Sequence, residues 1–300
     1  MKKIHRILAL AYLGITASTF AGSAVTDTKT VAPQEKSDET SLNLFSSEET
    51  YTFRSGFHDH RFGKQDSLYG DYSADRRIQV NGNWYLRLGG EYERFDFGGS
   101  DNGLPNHLQA LYGHIAYEYI MHDHAGAGIE LDPGVYFENR ITTDAFDIPW
   151  KLFVTFPIVK DKIFGVVGVG GGLYQNPPIA PGGGIIWLFN DHLRLEGVFP
   201  KPALVYNPND DWEFRLLGIL SYDSFRTDDV NTPAWHLHNA VVEYSEVRAG
   251  VQAKYSGFKP FDIVAGAGYT IEREYDFFRA DHTRTVKPSP YIQLAIKASF

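Results

Sequence analysis

Apolar and polar residues alternate with a period of two through much of this chain. From Ala127, the series Ala127, Ile129, Leu131, Pro133, Val135, Phe137 is apolar, and the interleaved Gly128, Glu130, Asp132, Gly134, Tyr136, Glu138 is polar or small. From Trp84, Leu86, Leu88, Gly90 and Tyr92 oppose Arg87, Gly89, Glu91 and Glu93. Near the end, Val247, Ala249, Val251, Ala253 and Tyr255 oppose Glu246, Arg248, Gly250, Gln252 and Lys254. Then Phe261, Ile263, Ala265, Ala267, Tyr269 and Ile271 oppose Val264, Gly266, Gly268, Thr270, Glu272 and Glu274. A period of two is that of an extended strand, whose successive side chains point to opposite faces. One face of each run carries charge that hydrocarbon would not tolerate, while the other is suited to lipid.

Turn-forming residues separate the runs: Asn81-Gly82, His122-Asp123-His124, Lys160-Asp161, Asn190-Asp191, Asn207 to Asp210 and Ser256-Gly257. Longer polar stretches lie between, at about 98 to 107, 138 to 146, 175 to 182, 226 to 239 and 278 to 287, with a short connection at Pro200-Lys201-Pro202. Short turns on one side and long loops on the other are the habit of outer-membrane barrels. The pattern therefore predicts an all-β fold, a closed antiparallel transmembrane β-barrel. Its strands fall at roughly 50–62, 72–80, 83–97, 108–121, 126–138, 147–159, 162–174, 182–189, 192–199, 202–207, 211–225, 240–255, 260–277 and 288–300. That makes 14 strands, or 12 if the irregular first pair or the proline-bearing pair around Pro200 is not used.

The amino terminus has the layout of an export signal: Lys2, Lys3 and Arg6, an apolar run from Ile7 to Ile15, and the small residues Gly22-Ser23-Ala24. Residues 1–24 read as a cleaved signal peptide, 25–49 as a flexible periplasmic arm and 50–300 as the barrel. Export of a strand-rich chain points to the bacterial outer membrane, with an even strand count putting both termini in the periplasm. Cysteine is absent, so no disulfide framework holds the fold. Without the signal, 25 basic residues face 37 acidic ones, a net charge of about −12 that argues against nucleic acid as a partner. The last strand alternates Ile292, Leu294, Ile296, Ala298, Phe300 with Gln293, Ala295, Lys297, Ser299 up to the carboxyl terminus. A terminal aromatic after such alternation looks like the signal read by barrel-assembly machinery, which is the expected protein partner. Outer-membrane lipid is the expected surround, with Trp84, Tyr92, Trp150, Trp187, Trp212, Tyr255 and Phe261 at its interfaces.

Several segments resemble an uncharacterised family of bacterial outer-membrane barrel proteins. They are Gly90 to Phe97 (GEYERFDF), Leu104 to Ala110 (LPNHLQA), Glu130 to Tyr136 (ELDPGVY), Phe199 to Pro202 (FPKP) and Glu243 to Arg248 (EYSEVR). The resemblance runs from about residue 79 to 300. It implies the fold and the location, and it carries no catalytic residues.

By parity the lumen receives Arg87, Glu91, Glu93, Glu118, Glu130, Asp132, Glu138, Lys151, Arg194, Glu196, Glu213, Arg215, Glu246, Arg248, Lys254, Glu272, Glu274 and Lys297, with acids in excess. A water-filled pore so lined favours small polar or cationic solutes. The alternative is a closed interior in which the same charges pair, leaving a structural or surface-interaction barrel. Three His-x-His pairs, His58/His60, His122/His124 and His236/His238, share a strand face if extended, but two of the pairs fall at loops or strand ends, no Cys joins them, and they read as surface or loop histidines. Gly165, Gly168, Gly170, Gly171 and Gly172 lack the GxGxxG spacing and read as a strand, and neither a cofactor nor a metal is expected. Ser221, Ser224 and Ser245 with His236 and His238 supply the residue types of a lipid-modifying enzyme. No spacing assembles them, so the expectation is a non-enzymatic barrel.

Overall fold

Alternation becomes a closed wall. The computed structural model describes residues 41–99, 102–121 and 125–300; the expected signal peptide, residues 25–40 of the expected arm and the His122/His124 pair lie outside the described residues. The strands are β1 (Ser41–Gly56), β2 (Lys64–Asn81), β3 (Trp84–Gly98), β4 (His107–Ile120), β5 (Gly126–Leu131), β6 (Gly134–Phe137), β7 (Phe146–Asp147), β8 (Trp150–Val159), β9 (Ile163–Gly171), β10 (Ile179–Asn190), β11 (Leu193–Val198), β12 (Ala203–Tyr206), β13 (Trp212–Arg226), β14 (Asp229–Asn231), β15 (His236–His238), β16 (Val241–Phe258), β17 (Phe261–Phe277), β18 (His282–Val286) and β19 (Ser289–Ser299). β5 with β6, β7 with β8, and β18 with β19 are broken halves of single staves, and the β14–β15 hairpin stands apart in a loop. The result is a closed antiparallel barrel of 14 staves.

Closure joins the ends of the chain. β1 pairs with β19 from Leu44↔Ser299 to Thr52↔Tyr291, and Asn43 and Phe300 exchange backbone hydrogen bonds of 2.7 and 3.0 Å. The Phe300 ring stacks on Phe45 at 5.5 Å. The first strand was expected at 50–62, after a flexible arm; it runs instead from Ser41, so the arm's last residues belong to the wall. β2 likewise starts at Lys64 rather than 72. β1 carries Ser and Glu, and β2 Asp and Arg, on both faces, so polarity contrast does not mark them, and backbone pairing to β19 and β3 fixes them instead. β16 also runs past Ser256-Gly257, and the turn expected there lies at Lys259-Pro260.

The two faces sit in two solvents. Ile129 and Leu131 are 45% and 37% exposed, whereas Glu130 and Asp132 between and beside them are buried. Leu216, Val251, Ile271, Ile292 and Leu294 join an outer apolar belt, the reverse of a soluble protein's arrangement. At the end bearing the chain termini, aromatic groups stack outside the wall: Trp84 with Tyr117 and Tyr119, Trp187 with Phe189, and Trp212 with Phe214 and Tyr255. Indole and phenol rings suit the layer where hydrocarbon meets water.

The wall is interrupted on one side. β11 and β12 are short, and above them the free edge of β13 is held by Gly218 and Leu220 N–H groups donating to Pro202 and Pro200 carbonyls. Higher still, β13 meets β6 through one parallel bridge, Arg226↔Phe137. The glycine-rich stretch is strand β9, as its period suggested, and at Gly171 a Cβ would lie 2.1 Å from the Pro178 carbonyl oxygen.

Candidate functional site

Inside the barrel, β3 reads as a ladder from the terminal end to the loop end: Arg87, Gly89, Glu91, Glu93, Phe95, Phe97. Charged groups occupy the lower rungs and rings the upper. Gly89 is required there, because a Cβ would stand 1.9 Å from an Asp75 carboxylate oxygen.

The lower rungs belong to a paired network. Arg87 Nε donates to Glu118 Oε1 at 3.1 Å, Arg77 Nε to Glu118 Oε2 at 3.1 Å, and Arg87 also bonds Glu130. Lys151 pairs with Glu130 and stands 3.8 Å from Asp132. His114 sits between two carboxylates, with Nδ1 2.8 Å from Asp132 Oδ1 and Nε2 2.8 Å from Glu91 Oε2. Two acceptors call for two ring N–H donors, so this geometry suits the imidazolium. His114, Glu130 and Asp132 have metal-ligand proximity, yet Arg87, Lys151 and the imidazolium already balance their charge.

A second network lies across β11, β13 and β16. Arg194 Nε donates to Glu196 at 2.7 Å and Nη2 to Glu213 at 3.0 Å, while Arg215 Nε donates to Glu213 at 2.7 Å and Nη1 to Glu196 at 3.2 Å. Lys254 approaches Glu213 at 3.8 Å. Glu246 and Arg248, also buried, stand 3.4 Å apart.

At the loop end an apolar cluster fills the lumen. Phe57 and Phe62 from the β1–β2 connection, Leu104 from the next loop, and Val230 and Trp235 from the β13–β16 loop pack onto inward rings of the wall. Phe95 of β3 meets Tyr244 of β16 at 4.9 Å and Phe225 of β13 at 6.1 Å. None of these strands is a neighbour of β3 in the sheet, so the rings touch across the lumen. Phe97 meets Tyr275 at 5.2 Å in the same layer.

Of the residues expected in the lumen, Arg87, Glu91, Glu93, Glu118, Glu130, Asp132, Lys151, Arg194, Glu196, Glu213, Arg215, Glu246, Arg248 and Lys254 take part in these networks or face them. Glu272 and Glu274 do not. Arg248 pairs with Thr270 and Val247 with Glu272, so Ile271 is an extra residue that flips the parity of β17. Beyond it Arg273, Tyr275 and Phe277 point inward, and Glu274 lies on the other face, where Thr285 donates to it at 3.3 Å. Glu138 leaves the lumen as well and anchors a loop, accepting the Asp228 N–H at 2.9 Å. Sequence reading missed His114, Asp71 and Asp223. His114 shares the parity of Glu118 on β4 and Asp223 that of Glu213 on β13, so the same signal held both; Asp71 fell just outside its expected strand.

The two described histidine pairs, His58/His60 and His236/His238, sit on the loops. His58 and His60 flank Asp59, whose carboxyl hydrogen bonds from Arg61 lower to about 2. His236 Nδ1 lies 3.0 Å from Asn231 Oδ1 and His238 Nδ1 2.5 Å from Asp229 Oδ1 on the exposed β14–β15 hairpin. No hydrogen bond joins a serine to either among the described residues, and Ser221 and Ser224 lie on opposite faces of β13.

The chain matches no protein-family model and no curated protein. Solved structures similar to it are outer-membrane proteins. An outer-membrane channel from Pseudomonas putida F1 is 11% identical with a TM-score of 0.45, over 87% of this chain and 95% of that one. The P. putida toluene transporter TodX is 12% identical with a TM-score of 0.41, over 86% and 89%. LpxR from Salmonella typhimurium is 10% identical with a TM-score of 0.36, over 86% and 99%.

Proposed function

We propose that this protein is an integral barrel of the outer membrane that passes small polar or cationic solutes only when its loop-end plug opens, rather than a passive pore. The observation that carries this reading is the contact of Phe95 with Tyr244 and Phe225 across the lumen. Ion pairs beneath the rings support it, since buried charges that are already paired line no free aqueous path. Both termini sit in the periplasm in this reading, outer-membrane lipid covers the apolar belt, and the strand ending at Phe300 is the contact for barrel-assembly machinery.

Planar-bilayer recording tests it. The refolded wild type is expected to give no steady current, and removal of the 99–106 and 227–240 loops combined with Phe95→Ala is expected to give one. A steady ohmic current from the wild type would overturn the plug. Silence from both would favour a structural or surface-interaction barrel.

A further inference from the structure

Between the paired network and the plug lies a row of acids of which, among the described residues, Glu91 alone has a cationic partner, His114. Glu48, Asp71 and Glu93 are direct cross-strand partners on β1, β2 and β3, facing the lumen. Like charges placed opposite one another destabilise a sheet. Oxygens of Asp71, Glu91 and Glu93 all lie within 4.8 Å of one another. Ligands that share one calcium ion at 2.3–2.6 Å are separated by at most about 5 Å, so this spacing suits a single hard cation.

The hydrogen bonding is incomplete in the way a missing ligand would leave it. Glu93 is 8% exposed; the Tyr112 hydroxyl lies 3.0 Å from it and 2.5 Å from Glu91, and Glu91 is its other hydrogen-bond partner. Asp71 Oδ1 is buried without a hydrogen-bond partner, and so is Ser221 Oγ on the inward face of β13. Asp223, two residues on, acts on Glu93 from across the lumen and has no ion pair among the described residues. Lys201 and Lys297 act on Asp71 from a distance, yet neither pairs with it. Buried carboxylates are ordinarily paired or bound to metal.

We propose that Asp71, Glu91 and Glu93 form a lumenal site for a hard divalent cation of the calcium class, held by oxygen alone, with Asp223 adding charge from the opposite wall. Oxygen donors and net negative charge select calcium or magnesium over softer metals. The site does not depend on the plug opening, so it can fail while the gating reading stands, and the reverse.

Terbium serves as the probe, because Tyr69 and Tyr112 contact the acids and can sensitise its emission. Refolded full-length protein in zwitterionic detergent is titrated with terbium chloride under tyrosine excitation and then with calcium chloride. Saturable emission displaced by calcium is expected, and Glu93→Gln and Asp71→Asn should each weaken it by about tenfold or more. Asp191→Asn, in an exposed turn, should leave it unchanged. Absence of calcium-displaceable emission from folded wild type overturns the site whatever the variants do, and so does equal affinity in folded Glu93→Gln.

Discussion

The indole of Trp235 meets the ring of Phe277 edge to face, with centroids 5.0 Å apart. One residue belongs to a loop and the other to the end of a membrane stave, so the contact ties the roof of the lumen to its wall. Trp235 also stacks against His282 at 4.8 Å and lies under Arg284 at 5.6 Å.

Trp235→Ala should therefore loosen the roof without dissolving the barrel. Loss of a buried tryptophan costs about 3–5 kcal/mol, here drawn from the loop's docking rather than from the sheet. Faster amide exchange confined to residues 227–240, with brief current openings in bilayers, is the expected result. Global unfolding at lower denaturant with no local change would refute a separate roof.

The outer belt makes a prediction of opposite character. Leu216 and Val251 are cross-strand partners, 60% and 57% exposed. If lipid covers them, Val251→Arg should cost about 2–4 kcal/mol when the barrel is unfolded from vesicles. A neutral effect would mean that water, not hydrocarbon, meets this surface.

Within the lumen, Lys151→Met removes the ammonium that pairs with Glu130. Breaking one side of a buried ion pair costs about 3–5 kcal/mol, because the other charge stays in place. Urea unfolding should show a loss of this size, and Glu130, bonded to both Arg87 and Lys151, should be at least as sensitive to replacement by Gln.

Glu138 gives a test by pH. Burial pushes its carboxyl above the usual range, the Asp228 N–H opposes the shift, and the carboxylates of Asp228 and Asp229 add to it. The folded protein thus keeps this proton to higher pH than the unfolded chain. Its contribution is fully present below the unfolded value and is lost as pH rises through the folded one. Glu138→Gln keeps an oxygen for the Asp228 N–H and removes the titration. Stability against urea should fall in wild type as pH rises from the unfolded carboxyl's range through the raised folded one, and Glu138→Gln should remove that slope; parallel profiles would contradict the assignment.

The sequence determined the wall. Ile129 and Glu130 adjoin in the chain, and their contrast already stated that one faces hydrocarbon and the other a polar interior, because an extended backbone leaves no third choice. The same rule placed Arg87, Glu213 and Arg248, and it contained His114 and Asp223 for a reader who followed parity to the strand ends. Only the tertiary structure decided the rest. The start of β1 depends on pairing with β19 at the far end of the chain, and the extra residue at Ile271, which turns Glu274 away from the lumen, is visible only against β16. Whether Glu130 finds Lys151, and whether Phe95 reaches Tyr244 across the lumen, depends on how the sheet curves and closes. Parity is local and fixes a side chain's face; contact across the lumen is set by closure, which no local pattern records.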